Sequence, residues 1–273
     1  MTLKPGLYIV ATPIGNREDI TLRALEILKN CDVIVCEDTR VSQNLLKMYA
    51  IHKPLLTYHE HNAKGMRPQI LKRLEEQQSI ALISDAGMPL ISDPGYKLVQ
   101  SCQERGFFIT VLPGPSAVLS GLILSGLPSD RFAFLGFADP ARFAEQHALA
   151  LTLIFFETAK RLLKTLNQMA VIFNHRPIAV VREISKVYEQ TIRGDFNAVI
   201  SYFQQTPPKG EMVIVLGPPL APSVSADKVD LLLQKALSKL SLRDASDFVA
   251  EALGASKKQV YQRALHLIKT PES

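Results

Sequence analysis

The sequence predicts an α/β protein made of two α/β domains and a small helical segment, the first sheet mostly parallel and the second mixed. Three observations carry this. Short apolar runs alternate with helix-period stretches from residue 7 onward, most runs are continuous rather than alternating, and proline-rich breaks fall at Pro113-Gly114-Pro115 and at 218–222. Continuous apolar runs belong to strands covered on both faces, and strand–helix–strand series give parallel sheets. The expected domains are 1–114, 115–222 and a helical tail, 223–273.

In chain order, Leu7 to Ala11 reads as a buried strand and Ile20 to Leu28 as a helix. Asp32 to Cys36 is a strand, Val41 to Tyr49 a helix and Pro54 to Tyr58 a short extended piece. Ile70 to Leu74 lies in a helix. Strands follow at Ile80 to Ile83 and Phe107 to Leu112, with Tyr96 to Arg105 helical between them. Beyond the proline break, Ser116 to Ser125 is a helix of small residues stopped by Gly126-Leu127-Pro128. Further strands are expected at 132–135, 153–156, 178–181, 187–193 and 212–216, with helices at 161–169 and 196–204. The 187–193 piece alternates, which marks a more exposed strand. In the tail, Asp227 to Leu240 is amphipathic. Ser241-x-x-Asp244 and Ser256-x-x-Gln259 are capping boxes, and Gly254 ends the helix between them, giving a helix-turn-helix pattern.

The chain has 273 residues and a formal charge of +5, with 47% hydrophobic and 21% charged residues. That composition excludes a disordered chain and is compatible with a polyanionic partner. Cys31, Cys36 and Cys102 form no C-x-x-C pair, so a disulfide framework and a structural zinc site are not expected and the thiols read as small apolar filler. No apolar run reaches bilayer length and Met1 to Pro5 has no signal-peptide pattern, so the expectation is a cytoplasmic protein.

The chemistry is expected at loops that follow strands, because open α/β sheets bind ligands beyond their carboxyl ends. Thr12-Pro13-Ile14-Gly15-Asn16 is one such loop. Ser84-Asp85-Ala86-Gly87-Met88-Pro89 is another, where Asp85 could accept hydrogen bonds from a ribose or an ammonium. Pro113 to Ala117 leads into a helix whose first N–H groups suit a carboxylate. Asp93, ahead of Pro94, reads as a helix N-cap. Glu37-Asp38-Thr39-Arg40 is either a self-paired surface cluster or a crevice edge where Arg40 grips phosphate. In His59-Glu60-His61-Asn62, an extended backbone would put both histidines on one face. That stretch could hold or deprotonate a substrate hydroxyl; a metal is not expected, since no third ligand stands at a recognisable spacing. Lys257, Lys258, Arg263 and Lys269 make the last helix cationic, with Tyr261 and His266 among them, as phosphate and base contacts require. The chain has no G-x-G-x-x-G and no G-x-x-x-x-G-K-[ST], which argues against a dinucleotide site and a P-loop.

These motifs together resemble the tetrapyrrole-methylase superfamily and, within it, the ribosomal RNA small subunit methyltransferase I branch. The matching stretches are 7–16, 37–40, 59–62, 84–89, 93–96, 113–116, 126–132 and 209–213. The resemblance implies two α/β domains of the tetrapyrrole-methylase type with S-adenosylmethionine in the cleft between them. It also implies a homodimer and 2′-O-methylation of a cytidine ribose in the decoding region of 16S RNA. Carried over by position, the donor would touch Pro13, Ile14, Asp85, Gly87, Met88, Ser116, Ala117, Glu211 and Met212. Arg40, His59 and Asn62 would face RNA, joined by Lys257, Lys258 and Arg263 of the tail, and Glu60, His61 and Asp38 are the candidate bases. Met88 stands where the family commonly has threonine. The stretches 138–142 and 156–161 also depart from its pattern. The alternatives are a tetrapyrrole C-methyltransferase and a non-catalytic RNA-binding assembly factor of the same fold.

Overall fold

The structure, a computed structural model, describes residues 3–220 and 226–269. It divides into two compact units, Met1–Pro218 and Pro219–Ser273. The first unit opens with β1 (Gly6–Val10), α1 (Leu22–Asn30), β2 (Val33–Cys36), α2 (Thr39–Met48), β3 (Leu55–Thr57), α3 (Ala63–Glu75), β4 (Ser79–Leu82), α4 (Tyr96–Glu104) and β5 (Ile109–Leu112). These strands form one sheet in the order β3-β2-β4-β1-β5, with every pairing parallel. β1, β2 and β4 are buried along their whole length, as their unbroken apolar runs require. Tyr8, Val10, Ile34 and Ala81 pack towards α1 and α2, and Leu7, Ile9, Val33 and Ile80 towards α3 and α4. Cys31, Cys36 and Cys102 are buried free thiols in these cores, and burial pushes Cys31 and Cys102 up to about 11.

The chain continues through α5 (Ala117–Ser125), β6 (Phe132–Phe137), α6 (Phe143–His147), β7 (Thr152–Thr158), α7 (Leu162–Ile172), β8 (Ile178–Arg182), β9 (Gln190–Gly194), α8 (Phe196–Gln205) and β10 (Glu211–Leu216). The second sheet has the order β6-β7-β10-β8-β9 and is mixed: β6 and β7 are parallel and the other pairings antiparallel. Strand alternation sorts its side chains. Leu153, Phe155, Val180 and Ile214 join the core under α7 and α8, whereas Ile154, Val181, Val213 and Val215 pack against Val118 and Leu122 of α5.

The alternating edge strand is present but shorter than expected. β9 starts at Gln190, and Val187 and Tyr188 lie exposed in a loop. Turn hydrogen bonds from Lys186 N–H to the Glu183 carbonyl and from Glu189 N–H to the Lys186 carbonyl end the extended path, with Glu183 and Ser185 at φ 52° and 62°. Arg176 anchors the far end of this sheet. Its guanidinium donates to the carbonyls of Leu151 at 3.0 Å, Gly217 at 3.2 Å, His147 at 2.9 Å and Leu149.

The second unit contains α9 (Ala226–Leu237), α10 (Leu242–Leu253) and α11 (Lys257–Lys269) around Leu233, Ala245, Val249, Val260 and Ala264. The Ser241 hydroxyl caps α10, accepting from Asp244 N–H at 3.2 Å and donating to the Asp244 carboxylate at 2.6 Å. Gly254 ends α10 in the left-handed conformation, φ 59°. α11 starts directly after Ser256. Among the described residues no helix is long and apolar enough to cross a membrane.

Candidate active site

A parallel sheet delivers all its carboxyl ends to one edge, and there the first-sheet loops gather. The loop after β1 is locked to the loop after β4 by a reciprocal bridge. Thr12 N–H donates to the Gly87 carbonyl at 2.9 Å, Gly87 N–H to the Thr12 carbonyl at 3.0 Å, and the Thr12 hydroxyl to the Ser84 carbonyl at 3.2 Å. Gly87 holds φ 81°, and a side chain there would press on Ile14 Cγ2 at 3.2 Å. Gly15 meets the second sheet: a Cβ would lie 2.6 Å from both the Ile184 carbonyl oxygen and Lys186 Cγ. The glycine is therefore what lets the first loop close against the 183–186 turn. In that turn Lys186 Nζ bridges Glu183 and Glu211, 3.1 Å from each.

The loops enclose a cavity of about 330 Å³, within the range of about 300–1,000 Å³ typical of small-molecule sites. From the first sheet come Ile14, Asp85, Gly87 and Met88, and from the start of α5 Ser116 and Ala117. Glu211 and Met212 of β10 close the opposite side. Of the donor contacts expected from sequence, Pro13 alone is absent from the lining. Ser116 caps α5, its hydroxyl accepting from Leu119 N–H at 3.4 Å. Asp85 accepts from Asp38 N–H at 3.2 Å, and burial holds its carboxyl above the usual range.

Other lining residues carried no such signal in the sequence. Phe137 and Phe156 form an aromatic wall with ring centroids 5.8 Å apart. Glu157, Glu183, Ile184 and Lys186 also line the cavity. Glu157 is buried, accepting from the Thr165 hydroxyl at 2.6 Å and Thr158 N–H at 2.7 Å, with Arg161 Nε 3.3 Å away. Strand alternation marks which face such residues occupy but not what stands opposite.

Asp93 corrects the N-cap expectation. The N-cap of α4 is Gly95, which offers no side chain, and the helix begins at Tyr96. Leu90 and Ser92, at φ 74° and 69°, turn the chain instead, and Asp93 lines the cavity. Burial raises its carboxyl to about 6, helped by Glu37 and Asp85 and opposed by the Ser84 hydroxyl.

The candidate bases fall outside the lining. Asp38 caps α2, accepting from Arg40 N–H at 2.8 Å, and pairs with the Arg40 guanidinium at 2.6 Å. The Arg40 hydrogen bonds hold its carboxyl down at about 2, so the carboxylate is a weak proton acceptor. Glu60 and His61 are exposed. Nor is the 59–62 segment extended. It is a turn into α3, in which His59 N–H donates to Asn62 Oδ1 at 2.9 Å and Asn62 N–H to His59 Nδ1 at 3.3 Å. The asparagine side chain satisfies the backbone locally, so the turn wins over a strand. The two imidazoles still lie 6.1 Å apart between centroids. No group of three His, Cys, Asp or Glu among the described residues is arranged to hold a metal. In the second unit, Lys257 pairs with Asp247 at 3.1 Å and Arg263 with Asp230 at 2.6 Å, while Lys258 is exposed.

Residues 6–199 match the model of the Tetrapyrrole (Corrin/Porphyrin) Methylases, and residues 223–268 match the RsmI C-terminal HTH domain. A Mesorhizobium japonicum protein named ribosomal RNA small subunit methyltransferase I is 42% identical over 276 residues, covering 98% of this chain and 94% of its own length. An Erythrobacter litoralis protein of the same name is 46% identical over 273 residues, with 97% and 96% covered. The chain belongs to the ribosomal RNA small subunit methyltransferase I family. In this chain the cavity lies where the loops after β1 and β4 face residues of β7 and β10. The cobalt precorrin-4 methyltransferase shares the fold at TM-score 0.57 and 19% identity, over 77% of this chain and 94% of that one. A Thermus thermophilus uroporphyrin-III C-methyltransferase solved with S-adenosyl homocysteine does so at 0.55 and 17%, over 78% and 97%.

Proposed function

We propose that this protein transfers a methyl group from S-adenosylmethionine to the 2′-hydroxyl of a cytidine ribose in the decoding region of 16S RNA. The observation that carries the reading is a single cavity, walled by both sheets, in a chain whose relatives over nearly its full length bear the name ribosomal RNA small subunit methyltransferase I.

The cavity chemistry fits the donor. Ile14, Met212 and Val213 offer apolar surface to an adenine, with Phe156 beside them. The Asp85 carboxylate can accept from ribose hydroxyls or the ammonium, and the first N–H groups of α5, at Ser116 and Ala117, suit the carboxylate. When bound, the donor supplies a sulfonium carbon already activated for displacement. The protein's own task is then to hold the acceptor oxygen about 3–3.5 Å from that carbon and in line. The Thr12–Gly87 bridge supports this by fixing two donor-side loops against each other. Arg40, in the first turn of α2, and His59 and Asn62, in the turn after β3, would guide the RNA, with Lys257, Lys258 and Arg263 adding phosphate contacts from the tail. The reading places the protein in the cytoplasm as a homodimer, which light scattering of the purified protein checks.

Mass spectrometry of 16S RNA from cells with and without the protein tests the reaction. A 2′-O-methylcytidine should be missing without it and should return when purified protein and S-adenosylmethionine are added to unmodified small subunits. An unchanged methylation map would overturn the reading.

A further inference from the structure

One aromatic ring of the cavity wall sits where regular strand geometry would not put it. Phe137 lines the cavity and packs edge-to-face on Phe156, yet it is 52% exposed. Phe134 of β6 pairs with Ile154 of β7, whereas Phe137 pairs with Phe156, so three steps along β6 match two along β7. The extra residue is a β-bulge, with Gly136 at φ 73°. In a regular strand Gly136 would share the face of Phe134, and Phe137 would point to the opposite side. The bulge turns Phe137 onto the cavity face instead.

The backbone beside that ring is anchored. Ala138 is buried, its N–H donates to the Phe156 carbonyl at 3.0 Å, and its own carbonyl accepts from the Arg161 guanidinium. The Phe137 and Phe156 rings meet at 70°, and an edge-to-face contact covers at most one face of either ring. Val118, Met212 and Val213 make a buried part of the lining, whereas Ile91, 42% exposed, shares the openness of Phe137. The buried part suits the donor, and Phe137 and Ile91 stand at the mouth.

We propose that Phe137 is the stacking platform for the base of the nucleotide being methylated. This rests on the reading above. To bring one 2′-hydroxyl inside the cavity, the nucleotide must leave the stack of its neighbours, and its base then needs a new flat apolar partner. A fixed aromatic ring at the mouth, with a face open to solvent, supplies that partner while the ribose points inward to the methyl donor. Stacking on phenylalanine accepts any base, so this residue holds the target nucleotide in place and does not choose cytidine.

Phe137→Ala, Phe137→Leu and Phe137→Trp test it. Single-turnover methylation of unmodified small subunits should lose about 10-fold or more in kcat/KM with alanine. Leucine, which keeps apolar bulk without a ring, should recover little, and tryptophan should come within about threefold of the parent. Calorimetry should find S-adenosylmethionine affinity within about threefold of the parent in all three. The chain has no tryptophan, so Phe137→Trp is also a reporter. Its emission, after subtraction of that of the subunits with parent protein, should be quenched by small subunits and not by donor alone. A Phe137→Ala protein that methylates within threefold of the parent overturns the assignment, as does full recovery by leucine. So does a loss of donor affinity equal to the loss of kcat/KM, or quenching by donor alone, either of which would make Phe137 a donor contact. A parent protein that methylates nothing in small subunits overturns the acceptor reading itself, a result distinct from a silent substitution in an active parent.

Discussion

In the first sheet every strand runs the same way, whereas in the second four of the five strands meet at least one antiparallel neighbour. The parallel arrangement sends the loops after β1, β2, β3 and β4 to one edge, so the glycines and carboxylates of those turns accumulate there. The mixed arrangement has no such common edge. It meets the cavity with side chains from β7 and β10 and with the strained 183–186 turn. The comparison teaches a division of labour: the parallel half supplies polar, ligand-directed groups, and the mixed half supplies a wall and the closure.

The largest effect expected from breaking this contrast is on the wall. Arg176→Ala removes a buried donor to four backbone carbonyls at the end of the second sheet far from the polar loops. Leaving those groups unpaired should cost about 3 kcal/mol in a urea melt. Arg176→Lys should recover little, because one ammonium cannot reproduce the guanidinium fork. A loss below about 1 kcal/mol would mean the wall does not depend on this anchor.

Closure comes next. Gly15→Val puts a branched side chain where the Ile184 carbonyl already stands. S-adenosylmethionine affinity should fall at least 30-fold by calorimetry, about 2 kcal/mol, with the far-ultraviolet circular dichroism unchanged. Unaltered affinity would show that the first loop need not meet the second sheet.

The polar half can be probed by pH. Asp93 has a folded value raised above that of the unfolded chain, so it contributes stability below the unfolded range, near pH 4, and loses it as pH rises towards 6. Asp38 has the opposite sign: its stability is present above pH 4 and lost as pH falls towards 2. Relative to the parent, Asp93→Asn should therefore gain in urea midpoint between pH 4 and 7. Asp38→Asn should lose ground over the window from pH 2 to 4. Parallel curves for the two variants would contradict the assigned environments.

The smallest effect is expected at the rim. Arg40→Ala removes an exposed cation already paired with Asp38. It should weaken small-subunit binding about threefold and reduce the salt slope by about one, as loss of a single phosphate contact does. No change in slope would mean the Asp38 pair holds Arg40 away from RNA.

The same contrast explains what could be read from the residues alone. Leu7 to Ala11, Asp32 to Cys36 and Ile80 to Ile83 are unbroken apolar runs, and such runs specify buried parallel strands directly. The turns that follow them carry their chemistry in adjacent residues, so Ile14, Asp85, Gly87 and Met88 were legible as a group. The wall was not. Phe137 and Phe156 look like ordinary strand aromatics until β6 and β7 are seen to border the cavity, and Lys186 acquires its partners only when β8 and β10 pair. Asp93 was misread because Asp-Pro before a helix has a sufficient local explanation in capping. The positive φ of Leu90 and Ser92, which redirects it, leaves no mark in residue type. Arg176 was silent for a similar reason: its carbonyl partners come from segments up to 41 residues away.

Isothermal titration of the purified protein with S-adenosylmethionine tests most directly whether the two halves build one donor site. The account predicts saturable binding with one donor per chain, weakened by Gly15→Val on the parallel side and by Phe156→Ala on the mixed side. Binding that survives both substitutions, or no heat from the well-folded parent, would contradict it.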